Sequence, residues 1–237
     1  MKLHKIILST LIILIFLSNI NAQPSASFYF TTAIPINEFR DFDKDAGYGA
    51  NLEILFFSPT KQKPFAMGIV FSYFGQGLYF YDDPYTNETY LSGNRANNYS
   101  SINLLFQLEP PEGKVKPYIE TFFGGSYIFS NSDIYTLDYM PVNLYVDDWA
   151  WTYGVGGGIK FLIGGDNGNG SLYLDLKGRY LMSSNVELLD RESIRYANDS
   201  FYYSVNETQF NDSFYYSLNE TQLNFLAVQI GVAYYFR

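Results

Sequence analysis

The chain has 237 residues, of which 23 are Tyr, 21 Phe and 2 Trp, against only 16% charged, with a net charge of −9. It holds no Cys and one His, His4. Disulfides are excluded, and so are a Ser-His-Asp triad, a Cys nucleophile and a zinc site of the usual kind once His4 is removed. Fold stability must come from burial and backbone pairing.

The amino terminus is read first. Lys2 and Lys5 precede an apolar run from Ile6 to Leu17, and Ile20-Asn21-Ala22 closes it on a small residue. This is the pattern of a secretory signal peptide, cleaved after Ala22. The run is too short for a spanning helix, which needs roughly 20 apolar residues. No Cys follows it, which excludes a lipid-anchored lipoprotein. Loss of residues 1–22 with Lys2 and Lys5 takes the net charge from −9 to −11. An acidic chain of this kind is not expected to bind nucleic acid.

From Gln23 on, the recurring period is two, the signature of strands. Phe28, Phe30 and Ile34 open the series, which Pro35 ends. Tyr48, Ala50, Leu52, Ile54 and Phe56 follow, then Phe65, Met67, Ile69, Phe71 and Tyr73. The fourth face is Ile102, Leu104, Phe106 and Leu108, and the fifth runs from Ile119 to Phe129. In Trp149 to Ile163 large apolar residues at odd positions alternate with Ala150, Thr152, Gly154, Gly156, Gly158 and Lys160. Leu172 to Met182 and Gln222 to Phe236 complete eight predicted strands.

Connections alternate in length. Those at 58–64, 109–116 and 164–170 are short; those at 35–47, 82–97, 130–147 and 183–221 are long. A soluble lipocalin-like barrel would turn its bulky residues inward and keep a polar exterior. Here the charged face is too small to clothe a soluble protein, and the apolar face is too bulky for the lumen of eight strands. The expectation is an all-β, eight-stranded antiparallel up-and-down transmembrane β-barrel, residues 23–237, with apolar residues outside and small and polar ones inside.

The last strand carries the most specific motif, Gln229-x-Gly231-x-x-Tyr234-x-Phe236. This polar-x-Gly-x-x-aromatic-x-aromatic spacing resembles the insertion signal of the small bacterial outer-membrane β-barrel domain family, the eight-stranded, porin-family barrels akin to OmpA and OmpX. Arg237 after the terminal aromatic departs from that pattern. The resemblance implies a bacterial outer-membrane location and an assembly machinery that reads Tyr234 and Phe236. It also places both termini and the short turns in the periplasm and the four long connections outside. The outer loops then carry most of the acid: Asp41, Asp43 and Asp45, Asp82 and Asp83, Asp147 and Asp148. Lys61, Lys63, Lys114 and Lys116 fall in the short turns.

The inward face places Glu53, Glu120 and Asp175 with Lys160, Lys177 and Arg179, an expected lumen ionic network of zero net charge. It reads either as a plug that keeps a narrow barrel rigid or as a polar solute path; the plug is favoured, since eight strands leave space only for side chains. Asp41-x-Asp43-x-Asp45 begins like a calcium loop, but Ala46 and Leu52 stand where Gly and Glu are needed. Residues 198–210 recur at 211–223 with 11 of 13 positions identical. Thirteen is odd, so one continuous strand would swap faces between copies; a hairpin or a fold-back is expected. The Asn-x-Ser/Thr triplets, such as Asn87-Glu88-Thr89, read as loop composition in a bacterial envelope.

The functional expectation is a non-enzymatic, monomeric outer-membrane scaffold with no cofactor and no metal. Its partners are the lipid bilayer, the assembly machinery and an extracellular ligand of unidentified kind at acidic, Tyr-rich loops. A narrow channel for small solutes is the alternative. A lipid-modifying barrel enzyme ranks below both, since the mature chain lacks His and Cys, and a secreted soluble β-barrel ranks with it.

Overall fold

A computed structural model describes residues 24–57, 59–61, 63–82, 92–135, 141–165, 170–189, 195–196, 207–210 and 214–236. The leader, Asp83, the Asn87 triplet, Arg237 and most of the first repeat copy lie outside them. Eight strands form a closed antiparallel ring: β1 Ser25–Pro35, β2 Gly47–Phe57, β3 Phe65–Asp82, β4 Ser92–Leu108, β5 Val115–Tyr135, β6 Pro141–Gly164, β7 Gly170–Leu189 and β10 Phe214–Phe236. Ring closure is the β1–β10 ladder, from Ser25 opposite Tyr235 to Pro35 opposite Phe225. Two short strands, β8 Arg195–Tyr196 and β9 Glu207–Phe210, pair onto the top of β10.

Side-chain parity around the ring follows the sequence alternation. Phe30 is 66% exposed, Ile119 63% and Val228 54%, and each sits in a row of outward apolar neighbours. Inward neighbours one residue away, such as Tyr29, Glu120 and Gln229, are buried. Reversing a strand by one residue would drive its apolar row into the lumen, so the register is strongly specified.

Strands β3 to β7 and β10 run further toward the long-connection end than the alternation predicts. The pattern marks only the apolar belt, whereas an antiparallel ladder propagates beyond it wherever backbone groups stay paired. Of the connection expected at 130–147, for instance, only 136–140 separates β5 from β6.

The first long connection contains a short helix, α1 Glu38–Phe42. Asn37 leads into it with φ 55, the one non-glycine residue with positive φ among the described residues. Its Nδ2 donates to the Tyr180 hydroxyl at 2.9 Å.

Two features locate the top of the barrel. The β6–β7 ladder ends at Thr152 opposite Ser183, and side chains bridge the slit above it. The Trp151 N–H donates to Ser184 Oγ at 3.1 Å, and the Glu187 N–H donates to Asp148 Oδ2 at 2.8 Å. Such side-chain partners blunt otherwise open strand edges. The second feature is the repeat. Residues 207–210 of the first copy pair antiparallel with 214–217 of the second, so the junction of the two copies is a hairpin. A bulge between Gln222 and Asn224, where the second copy ends, resets the register before the apolar outward row of β10 begins at Leu226. The Leu223 N–H freed there donates to Ser183 Oγ at 2.8 Å.

Candidate functional site

The lumen is built from residues of fixed parity, and its chemistry changes along the axis. Nearest the short turns, Lys160 Nζ lies 2.5 Å from Glu109 Oε2 and 2.7 Å from the Tyr235 hydroxyl. That hydroxyl donates to Glu109 Oε1 at 2.6 Å. Lys116 Nζ lies 3.7 Å from the same carboxylate, 4.4 Å from the Tyr235 ring centre and 5.0 Å from that of Tyr173. Glu109 and Lys116 correct the sequence reading, which left both in a solvated turn. Both are buried because they continue the inward parity of their strands. Glu109 follows buried Gln107 just past the end of β4, where its N–H pairs with Pro64 O, and Lys116 precedes buried Tyr118 within β5, where Lys114 O accepts from the Leu162 N–H.

One layer up, Asp175 accepts from the hydroxyls of Tyr29 and Tyr118, both at 2.8 Å. Asp175 stands opposite Lys160 in the β6–β7 ladder, yet the lysine head reaches down to Glu109. Above it, Glu53, Glu120, Lys177 and Arg179 interlock. Lys177 Nζ is 2.5 Å from Glu53 Oε1 and 3.8 Å from Glu120 Oε2. Arg179 donates through Nε to Glu120 and through Nη2 to Glu53, at 2.5 and 2.6 Å. Lys177 also sits 3.7 Å above the Tyr29 ring, and Arg179 lies 5.2 Å from the Phe122 ring centre. The structure thus brings Glu53, Glu120, Lys177 and Arg179 into one cluster and places Asp175 and Lys160 in the layers beneath. With Glu109 and Lys116 added, this half of the lumen holds four carboxyl and four basic side chains, and formal charge still cancels there. A buried charge is tolerable only when so paired.

Above Phe122 the inward side chains become neutral. Ser126 Oγ lies 2.7 Å from the Tyr99 hydroxyl and 3.0 Å from Thr152 Oγ1, and Thr152 donates to Asn103 at 2.8 Å. Then come rings: Phe74 stacks on Tyr99 at 4.5 Å, and Phe225 meets Phe74 edge-on at 5.1 Å. Phe39 of α1 drops onto Phe225 at 5.0 Å and is buried. Large rings join the inward face, where the sequence reading expected small and polar residues. Extending the parity of β3 by one residue and of β4 by three would have pointed Phe74 and Tyr99 inward, and Phe225 already lies on the inward parity within Gln222–Phe236.

Asp43 is a second correction. It is not part of a solvated acidic loop but buried at 2% exposure, where it accepts from Asn97 Nδ2 at 3.1 Å and from the Asp45 N–H at 3.1 Å. Ser130 in turn donates to Asn97 at 2.6 Å, and Gln76 donates to Asp45 O at 2.6 Å. These bonds tie the α1 loop into the barrel top. Among the described residues no group of three or more His, Cys, Asp or Glu side chains could hold a metal.

The carboxy-terminal motif splits by parity. Gln229 and Gly231 face the lumen; Tyr234 and Phe236 face outward, their rings perpendicular and 4.8 Å apart. Gly231 has a lumenal task of its own. A Cβ there would stand 2.5 Å from Tyr29 Cδ1 and 2.1 Å from Phe28 O, so glycine is what lets the Tyr29 ring lie flat against β10 and reach Asp175. The motif therefore serves the lumen as well as the outer surface.

No family model and no curated protein matches the chain. Among solved structures it is similar to Ail, the attachment invasion locus protein of Yersinia pestis, at 12% identity and TM-score 0.44, over 91% of this chain and 99% of that one. Neisserial surface protein A gives 10% identity and TM-score 0.38, over 90% and 95%. A major outer membrane protein from Thermus thermophilus gives 12% identity and TM-score 0.44, over 91% and 100%.

Proposed function

We propose that this chain is a non-catalytic integral protein of a bacterial outer membrane, a sealed barrel that anchors an acidic, Tyr-rich outer surface for envelope integrity or contact with an extracellular ligand. One observation carries the reading: a closed ring exposes rows of large apolar side chains around its whole circumference while the eight charged side chains of its lower lumen cancel. A soluble protein does not leave such a belt in water, where it would drive aggregation. In a bilayer the belt is solvated by lipid, and ring closure leaves no strand edge there to satisfy. Export by the leader at 1–22, insertion through Tyr234 and Phe236, and a monomeric state belong to this reading. Seven of the eight charges of the lower lumen are ion-paired with one another and Asp175 accepts from two tyrosine hydroxyls, so the lumen acts as a structural filling with no cofactor in it.

A narrow solute path is the second reading. It is favoured by Thr31, Asn51, Gln107 and Gln229, each of which has a buried polar atom with no hydrogen-bond partner among the described residues. Interior atoms of this kind are usually met by water.

The test of the membrane reading is refolding into vesicles followed by electrophoresis with and without boiling. A folded band that shifts on heating, and protein that floats with the vesicles, is the expected outcome. A detergent-free soluble monomer would refute it.

A further inference from the structure

The outward surface is not an even belt. A hollow of about 460 Å³ crosses β1 to β6 on the half of the barrel nearest the long connections. Its floor is made of small outward residues, Ala50, Ser100 and Gly125, and its walls include Phe28, Leu52, Phe71 and Ile102. Trp149 closes one side by covering Gly125, where a Cβ would stand 2.0 Å from its ring. A cleft of this size with apolar walls takes a chain-like apolar group.

The rim toward the outside has different chemistry. Tyr127 is both a wall of the hollow and a polar post: its hydroxyl lies 2.7 Å from Asp147 Oδ2 and 2.6 Å from the Tyr145 hydroxyl. Tyr145 is 53% exposed, and its ring is close to parallel with that of Phe129, at 28° and 6.2 Å. Across the hollow, the Tyr73 hydroxyl donates to Asn98 at 2.9 Å. The rim thus offers exposed ring faces, a carboxylate and an amide, and among the described residues no Lys or Arg lines the hollow. Rigid aromatic faces beside hydrogen-bonding groups suit the apolar faces and hydroxyls of a sugar ring. A phosphate would meet the Asp147 carboxylate with no cation to offset the repulsion.

We infer that this hollow and its rim are a binding site for a glycolipid with an uncharged sugar headgroup. One acyl chain lies over Ala50 and Ser100 and against the Trp149 ring that covers Gly125, and the sugar rests against Tyr127 and Tyr145 with its hydroxyls donating to Asp147. The inference rests on the membrane reading above, since it places the hollow in the outer half of the bilayer. The loops need no part in it: every residue named lies on a barrel strand. The site is a means of ordering particular lipids around the barrel, and it selects by headgroup charge.

The test uses the full mature chain in bilayer nanodiscs holding equal amounts of monogalactosyl diacylglycerol and phosphatidylglycerol, with retained lipid counted by native mass spectrometry. The wild-type chain is expected to retain the galactolipid at least about tenfold over the phospholipid, the effect of one charge-assisted hydrogen bond. Asp147→Lys is expected to erase or invert that preference. Ala50→Phe, a change on the lipid-facing surface that leaves the lumen untouched, is expected to lose both lipids from the site. Equal retention by the wild-type chain, or a preference that survives both substitutions, overturns the inference while leaving the membrane reading standing. A chain that does not enter the nanodiscs overturns both.

Discussion

Up to Phe122 the lumen is filled by four carboxyl and four basic side chains; above it the same strands turn hydroxyls, amides and rings inward. The lower filling comes from side chains in or flush with the ring of strands and reaches across the full width, as Lys177 on β7 does to Glu53 on β2. The upper filling depends on a loop, since Phe39 reaches Phe225 only because α1 folds over the barrel mouth. A charged filling is strict about its members, because each is tolerable only while its partner is present. An aromatic one degrades more gently, because neighbouring rings can settle into the space a lost ring leaves. The permanent seal is therefore assigned to the lower half, and the upper half is a stopper tied to the outer surface.

The largest expected effect is at the charged level. Arg179→Ala leaves Glu53 to Lys177 alone and takes from Glu120 its closest partner, and should cost about 3–5 kcal/mol. Urea unfolding in vesicles, read from Trp149 and Trp151, measures it. Arg179→Met combined with Glu53→Gln should recover part of that loss; if the double variant is as unstable as the single one, the loss is not an uncompensated charge. Phe225→Ala should cost about 3 kcal/mol, since it removes a ring shared by Phe39, Phe74 and Tyr99. Phe39→Ala should cost about 1 kcal/mol or less in the global transition and show instead as faster hydrogen exchange confined to 36–46. Equal costs for the two Phe substitutions would dissolve the distinction between a strand-held and a loop-held stopper.

The two fillings also differed in how far the sequence disclosed them. Strict alternation over Trp149–Ile163 and Leu172–Met182 put Lys160, Asp175, Lys177 and Arg179 on one face without any knowledge of partners. Glu109 and Lys116 were missed because Pro110, Pro111 and Gly113 mark a turn and the strands were ended before it, although each residue continues the inward parity of its strand. The partners of Tyr29 and Tyr118 were equally out of reach, since Asp175 is 146 residues from the first and 57 from the second. Above the belt, outward residues become polar, the contrast between faces fades and parity stops being readable. That is where the strand ends, α1 and the burial of Asp43 were missed. The repeat was legible as a repeat, and its odd period of thirteen pointed to a hairpin or a fold-back; the pairing places a hairpin at its junction, extending β10.

The claim that the lower lumen is a permanent seal is tested most directly by single-channel recording in planar bilayers. Two proteins are compared: the wild-type chain and one in which residues 38–45 are replaced by a Gly-Ser linker, which removes the loop-held stopper. The prediction is that neither shows a steady open conductance, because the ion-paired layers around Glu53, Glu120, Lys177 and Arg179 remain. A steady open pore in the wild-type chain, or one that appears when the α1 loop is removed, would contradict it.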